Sequence, residues 1–138
     1  DKKHKITFTI DEELKIFGVE SEIRSACSNL IFNAIHYTPA GGEINVLWEK
    51  RDGGAYFCVT DNGEGIEEKH LRRLTERFYR LDKARSRKKG GSGLGLSIVK
   101  HVLNHHNSTL LISSEVGEGS SFAFFLPSEL VYEGSVDS

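Results

Sequence analysis

The chain of 138 residues predicts an α+β domain, a two-layer α/β sandwich in which a mixed, mostly antiparallel sheet of about five strands carries about three helices on one face. Three observations predict it. Apolar residues alternate at period two in several short runs, Ile6/Phe8/Ile10, Ile44/Val46/Trp48, Ala55/Phe57/Val59 and Phe122/Phe124/Leu126, as in strands with one buried face. The period turns helical at Ile23/Cys27/Leu30/Ala34 and again at Leu94/Ile98/Val99/Val102/Leu103. Between neighbouring strand runs stand Asp52-Gly53-Gly54 and Gly117-Glu118-Gly119, which are hairpin turns, so those runs pair antiparallel.

In order, Ile6, Phe8 and Ile10 open the chain as a strand, and a second short strand holds Leu14 and Ile16 before Gly18. A helix runs from a Ser21 cap to Thr38-Pro39, where proline cannot continue it. The strand of Ile44 to Trp48 turns at Asp52-Gly53-Gly54 and returns through Ala55, Phe57 and Val59, which delivers Asp61 to a strand end. A short helix from Glu67 to Leu74 leads into a basic stretch that reads as a mobile loop through Ser92. A further helix spans Leu94 to about His106, and a last hairpin sets Leu110/Ile112 against Phe122/Phe124/Leu126. Residues 1–127 are assigned to the domain and 128–138 to a C-terminal tail.

Composition narrows the class. A chain of this length forms one domain and buries roughly two-thirds of its unfolded surface. With 38% hydrophobic and 28% charged residues, disorder is not expected. No run reaches the length of a membrane span and no signal-peptide pattern opens the chain, so this segment is expected to be soluble and to make no membrane contact. Cys27 and Cys58 lie far apart without a C-x-x-C partner, which argues for two reduced core thiols over a disulfide or zinc framework. The net charge of −2 conceals an asymmetry: ten of eighteen basic residues fall between Lys69 and Lys89 against only Glu76 and Asp82. A solvated helix face or a nucleic-acid patch would account for such a run. Because the domain is not basic overall and the run ends at a glycine-rich turn, a polyphosphate suits it better than nucleic acid.

Three short signatures carry the chemistry. Asn29-Leu30-Ile31-Phe32-Asn33-Ala34 offers two amide oxygens, hard ligands for a divalent cation, on one helix face, since residues four apart are neighbours. Asp61-Asn62-Gly63-Glu64-Gly65-Ile66 sets a carboxylate beside a backbone bared by glycine. Gly90-Gly91-Ser92-Gly93-Leu94-Gly95-Leu96 supplies N–H groups at the opening of a helix, where phosphates sit well. In this order they describe a nucleotide site. Singly they do not, because Asp-Asn-Gly is ordinary turn chemistry and paired asparagines also suit a solvated helix face. The glycines lack the G-x-x-G ending and the preceding strand of a dinucleotide fold, and there is no Gly-Lys-Ser/Thr loop, His-Arg-Asp or Asp-Phe-Gly set. His101 and His105, also four apart, have no acidic base between them and no evident third ligand, so they read as a solvated face.

The series Asn-x-x-x-Asn-Ala, Asp-x-Gly-x-Gly, the aromatic and basic box Glu76-Arg77-Phe78-Tyr79-Arg80, then Gly-x-Gly-Leu-Gly resembles the catalytic, ATP-binding domain of bacterial sensor histidine kinases. The resemblance runs from about Ile6 to Pro127 and includes Gly117-x-Gly119-Ser120-x-Phe122. Within that family, the stretch from Arg73 to Arg87, with Ile98-Val99-Lys100-His101 and His105-His106, is similar to kinases of the phosphate regulon. The resemblance implies ATP and Mg²⁺ as cofactors. Asp61 would accept from the adenine amino group, Gly63 and Gly65 would let the base approach the backbone, and Ile66 and Ser120 would also belong to the ATP site. Asn33 would hold Mg²⁺ with Asn29 a second contact, and Tyr37 would flank base or ribose. Gly91, Gly93, Leu94, Gly95 and Leu96 would cradle phosphates, joined by Arg77 and Arg80, with Phe78 sensing closure. His36 stands where family members often carry lysine, which shifts phosphate affinity towards the arginines.

The same fold includes ATPases in which a glutamate four residues before the metal-binding asparagine activates water. Here that position is Asn29, and an amide is no general base. The resemblance therefore implies transfer to a histidine on a dimerisation domain, in a pattern like His-Glu-Leu-Arg-x-Pro that none of the six histidines here matches. It also implies a response regulator as downstream partner, and a cytoplasmic domain of a parent anchored in the bacterial inner membrane. Two other classes remain open at this point: a nucleotide-binding regulatory module without transfer activity, and a nucleic-acid binder using residues 69–89.

Overall fold

The computed structural model describes residues 4–71, 73–74 and 95–132. The element order is β1 (Lys5–Ile10), β2 (Lys15–Ile16), α1 (Glu20–Tyr37), β3 (Glu43–Arg51), β4 (Gly54–Asp61), α2 (Glu68–Leu71), α3 (Gly95–His105), β5 (Leu111–Glu115), β6 (Gly119–Leu126), a 3₁₀ turn (Ser128–Leu130) and β7 (Val131–Tyr132). Five strands form one sheet in the order β1-β3-β4-β6-β5. Only β1 and β3 are parallel; the three remaining pairs are antiparallel, so the sheet is mixed and mostly antiparallel as expected.

Parity along each strand decides the core. Ala55, Phe57 and Val59 of β4, Ile44 and Val46 of β3, and Phe122, Phe124 and Leu126 of β6 share one sheet face and are buried. Against that face lie Ala26, Leu30 and Ala34 of α1 and Val99, Val102 and Leu103 of α3. The Phe57 and Phe124 rings stack with centroids 5.2 Å apart, which adds directional packing to burial. Asp61 has the parity of Phe57 and Val59, so β4 carries its one carboxylate onto the face that the helices cover.

Several boundaries differ from expectation, each for a physical reason. Helix α1 begins at Glu20, with no side-chain cap: Ser21 is already helical. Its entry is fixed across the helix pair, where the Val19 N–H donates to His106 Nε2 (3.1 Å), while acidic Glu20 and Glu22 suit the dipole of the first turn. Its end agrees, with Thr38 extended ahead of Pro39. Phe8 and Ile10 alternate as expected yet are exposed, because β1 is an edge strand and only Ile6 reaches the core. The β3–β4 turn is two residues, Asp52 (φ 51°) and Gly53 (φ 82°), both left-handed as such a hairpin needs. Helix α2 is shorter than the span from Glu67 to Leu74. Residues 128–132, assigned to a tail, instead form the 3₁₀ turn and β7, which pairs antiparallel with β2.

The thiols behave as expected of reduced cysteines. Both are free, and burial pushes the Cys27 thiol up to about 12. Cys58 lies on the opposite face of the sheet beside the Thr60 and Ser121 hydroxyls.

Candidate functional site

The site is built where β4, β6 and the end of α1 meet. Asp61 closes β4 opposite Ser120 of β6. Its Oδ1 accepts the Gly63 N–H (2.8 Å) as an aspartate does in a turn, and the Ser120 N–H also donates to the carboxylate. Burial raises the Asp61 pKa, and these two N–H donors oppose the rise without cancelling it. The result is a partly desolvated carboxylate with acceptor capacity left over.

The turn that follows is clamped to the β5–β6 hairpin. Gly117 N–H donates to Glu64 O (2.8 Å), and Ile66 N–H to Ser114 Oγ (2.7 Å). Ser114 in turn donates to Gly119 O (3.1 Å) and lies 2.8 Å from Ser120 Oγ. Asn62 Oδ1 accepts from the Glu43 N–H, which ties the turn to β3 as well. Gly65 (φ 81°) and Gly119 (φ 132°) are forced positions: a Cβ on either would overlap backbone, of Glu115 and of Asp61 respectively. A Cβ on Gly63 would crowd Asp61 Oδ1 (3.1 Å), Tyr37 O (3.2 Å) and Thr38 Oγ1 (3.3 Å), so the bared backbone faces both the carboxylate and the end of α1.

Further along α1, Asn29 and Asn33 sit half-buried on one face, next to Leu30 and Ala34 in the core. Asn29 Nδ2 donates to Ser25 O (2.8 Å) and lies 3.3 Å from Ser25 Oγ, which commits the nitrogen to the helix. Its Oδ1 turns to the first residue of α3, 3.1 Å from where a Gly95 Cβ would stand. From Asn29 to Thr38 the helix spans roughly 13 Å at 1.5 Å per residue. The polar ends of the site are thus separated along one helix.

Of the residues proposed from sequence, the structure brings together Asp61, Gly63, Gly65, Ile66 and Ser120 with the end of α1 at Tyr37, and separately Asn29 with Gly95, the residue before Leu96. Asn33 and His36 lie on α1 between these groups, and the His36 and Tyr37 rings meet edge-on at 4.7 Å. Arg77, Phe78, Arg80, Gly91, Gly93 and Leu94 fall outside the described residues, as does the basic loop. Two contributors were not read from sequence: Ser114, visible only as an inward position of β5, and Thr38, read merely as the residue before a proline.

Two other features compete as sites and are set aside. An open groove of about 440 Å³ runs along the first half of α1, lined by Glu20, Ser21, Arg24, Ser25 and Ser28, with no buried polar group at its base. Glu22, His105 and His106 converge closely enough to suggest a metal. However, both His106 nitrogens are committed, Nδ1 to Val102 O (2.9 Å) and Nε2 to the Val19 N–H, while His105 pairs with Glu22 at 2.7 Å. His101 is exposed and stands outside that cluster, as a solvated face requires.

The fold puts a carboxylate at a strand end beside bare glycines, facing a helix whose asparagine oxygen turns to a second helix, and the family it belongs to is one of ATPase-like domains. The chain belongs to the family described as Histidine kinase-, DNA gyrase B-, and HSP90-like ATPase, which matches residues 18–130. Within that family it resembles sensor histidine kinases. It is 48% identical over 130 residues to the Phosphate regulon sensor protein PhoR of Pseudomonas aeruginosa, covering 94% of this chain and 29% of that protein. The mycobacterial sensor histidine kinase MprB superposes with a TM-score of 0.78 at 31% identity, covering 90% of this chain and 83% of that one. Full-length ShkA in complex with AMPPNP gives a TM-score of 0.77 at 26% identity over 91% of this chain and 26% of that one. The chain therefore spans under a third of the length of the relative it matches at 48% identity. Among the described residues, no helix is long and apolar enough to cross a membrane.

Proposed function

We propose that this domain binds Mg²⁺-ATP and donates the γ-phosphoryl group to a histidine on a dimerisation domain of a longer sensor kinase, which reports phosphate limitation to a response regulator. The observation that carries the reading is the pairing of a desolvated acceptor at Asp61 with an oriented amide oxygen at Asn29 along one helix. Asp61 accepts from the exocyclic amine of the base, and Gly63 lets the ring approach the backbone. Ser120 holds the carboxylate in place and Tyr37 flanks the ring. Gly91, Gly93, Leu94, Gly95 and Leu96 offer N–H groups to the phosphates, with Arg77 and Arg80 neutralising charge.

The donor set fits a hard cation. Asn29 has its nitrogen tied to Ser25 and its oxygen turned to α3, and Asn33 presents a second amide one turn on. Held by Asn33 with Asn29, Mg²⁺ would supply charge neutralisation at the β- and γ-oxygens. Asn29 cannot take a proton from water, so hydrolysis has no base at this position and a stronger nucleophile is favoured. The phosphate-regulon role is supported by the name of the relative at 48% identity, and a membrane-anchored parent by its being a sensor protein three times longer than the match.

The test mixes the domain with radiolabelled ATP, with and without the acceptor domain of the same kinase. Acid-labile label should appear on the acceptor only, require magnesium and fail in Asn33→Ala. Acid-stable label on this chain, or brisk phosphate release without acceptor, would overturn the proposal. ATP binding without transfer would leave a regulatory module in its place.

A further inference from the structure

Among the described residues, one buried side-chain oxygen has no hydrogen-bond partner: Thr38 Oγ1. Thr38 is only 4% exposed, so water does not satisfy the hydroxyl either. An unpaired buried hydroxyl is costly, and its position bears on the cost. Thr38 Oγ1 lies 3.3 Å from the point where a Gly63 Cβ would stand, and Asp61 Oδ1 lies 3.1 Å from the same point. A donor without an acceptor and a half-buried carboxylate with acceptor capacity thus border one gap, kept open because residue 63 has no side chain. Two backbone groups near the hydroxyl are already engaged: Thr38 O receives His4 Nε2 at 2.6 Å, and Gly63 N–H is used by Asp61.

We infer that Thr38 is a positioning residue for base recognition, its hydroxyl donating to the Asp61 carboxylate when a base occupies the site. This rests on the reading that Asp61 receives the exocyclic amine of the base. A base docked on Asp61 and Gly63 leaves the clamped turn in place, and rotation of the Thr38 side chain carries its hydroxyl to the carboxylate. The hydroxyl then gains its acceptor, and the ionised carboxylate gains a third internal donor beside the N–H groups of Gly63 and Ser120. The same arrangement selects for a base edge that donates at Asp61. Adenine presents an amine there, and guanine presents a carbonyl that the carboxylate repels.

The role separates from a structural one because the hydroxyl has no partner within the fold itself. Thr38→Val, of nearly the same shape, removes an orphaned hydroxyl, so the melting temperature of the nucleotide-free domain should stay level or rise. Its affinity for Mg²⁺-ATP should fall about tenfold, the size of one charge-assisted hydrogen bond. Thr38→Ser keeps the hydroxyl and should bind within about twofold of wild type. In an Asp61→Asn background, Thr38→Val should add little, because the two act together. Calorimetry on the wild type and these four variants decides the matter. Asp61→Asn weakened while Thr38→Val binds like wild type would overturn the role of Thr38 alone. Unchanged affinity in Asp61→Asn would overturn the base reading beneath it. A Thr38→Val domain that melts clearly lower would make the hydroxyl structural and end the proposal.

Discussion

At the Asp61 end of the site, Gly65 and Gly119 stand where any Cβ would overlap backbone, whereas at the Asn29 end Gly95 meets, among the described residues, the tip of one amide side chain. The first end is rigid before any ligand arrives. Its turn is pinned by Ser114, Gly117 and Asn62, and its carboxylate is already held by two N–H groups. The second end is two helices brought side by side, with the oxygen of an asparagine whose nitrogen is tied to Ser25 turned towards Gly95. A base is a fixed shape and rewards preorganisation, while a polyphosphate with its cation changes in charge and geometry during transfer and needs groups that adjust.

Substitutions can break that contrast, and the largest effect is expected at Gly119. Gly119→Ala combines a strained φ with backbone overlap and should cost about 3 kcal/mol or more of unfolding free energy, measured in urea. A loss below about 1 kcal/mol would show that the sheet end is as pliable as the helix end.

Next comes Asp61→Asn, which should weaken ATP roughly ten- to a hundred-fold, since a hydrogen bond to a charged group contributes about 1.5–3 kcal/mol. Stability should move the other way. The folded pKa of Asp61 is raised, so its contribution is fully present below the unfolded carboxylate pKa and is lost as pH climbs through the folded value. At neutral pH the ionised group therefore strains the fold, and Asp61→Asn should melt level with wild type or higher. ATP binding needs the ionised form, so wild-type affinity should drop as pH falls through the raised pKa, and the Asn variant should lack that component.

A smaller change is expected at the other end. Gly95→Ala improves helix propensity, so the fold should hold, but the new methyl presses on Asn29 Oδ1 and should weaken Mg²⁺-ATP about fivefold, as for one displaced neutral hydrogen bond. Unchanged affinity would mean that the Asn29 oxygen plays no part. The smallest effect serves as a control against a third, metal-built site. Glu22→Gln touches a half-exposed pair with His105 and should cost under about 1 kcal/mol, and added zinc should leave the melting temperature of wild type unchanged.

How much of this could be read from sequence follows from which signals are local. Period-two and helical runs placed the sheet strands and α1 and α3, because alternation at Phe57/Val59 and spacing at Leu30/Ala34 record burial directly. The ends were less legible. Ser21 looked like a cap, but the chain entry is held by His106, 87 residues from Val19, and no local pattern announces such a partner. The short strands at Lys15–Ile16 and Val131–Tyr132 stabilise each other across the chain, so β7 passed for a tail. At the site, Asp61 and its glycines were legible because turn chemistry is local. Ser114 and Thr38 act through space on that turn, and only the fold reveals them.

The pairing of β2 with β7 also bears on how the protein is made. Lys15 meets Tyr132 and Ile16 meets Val131, with the Phe17 and Tyr132 rings edge to face at 5.1 Å. A segment near the start of the chain therefore waits for one synthesised more than a hundred residues later. On the ribosome the β3–β4 hairpin and α1 have partners early, but this joint, and the burial of Leu14 and Val131 beside it, closes only after Tyr132 has left the exit tunnel. A nascent chain paused before Pro127 would carry its five sheet strands with this clasp still open, so completion of the fold is coupled to completion of this stretch of translation.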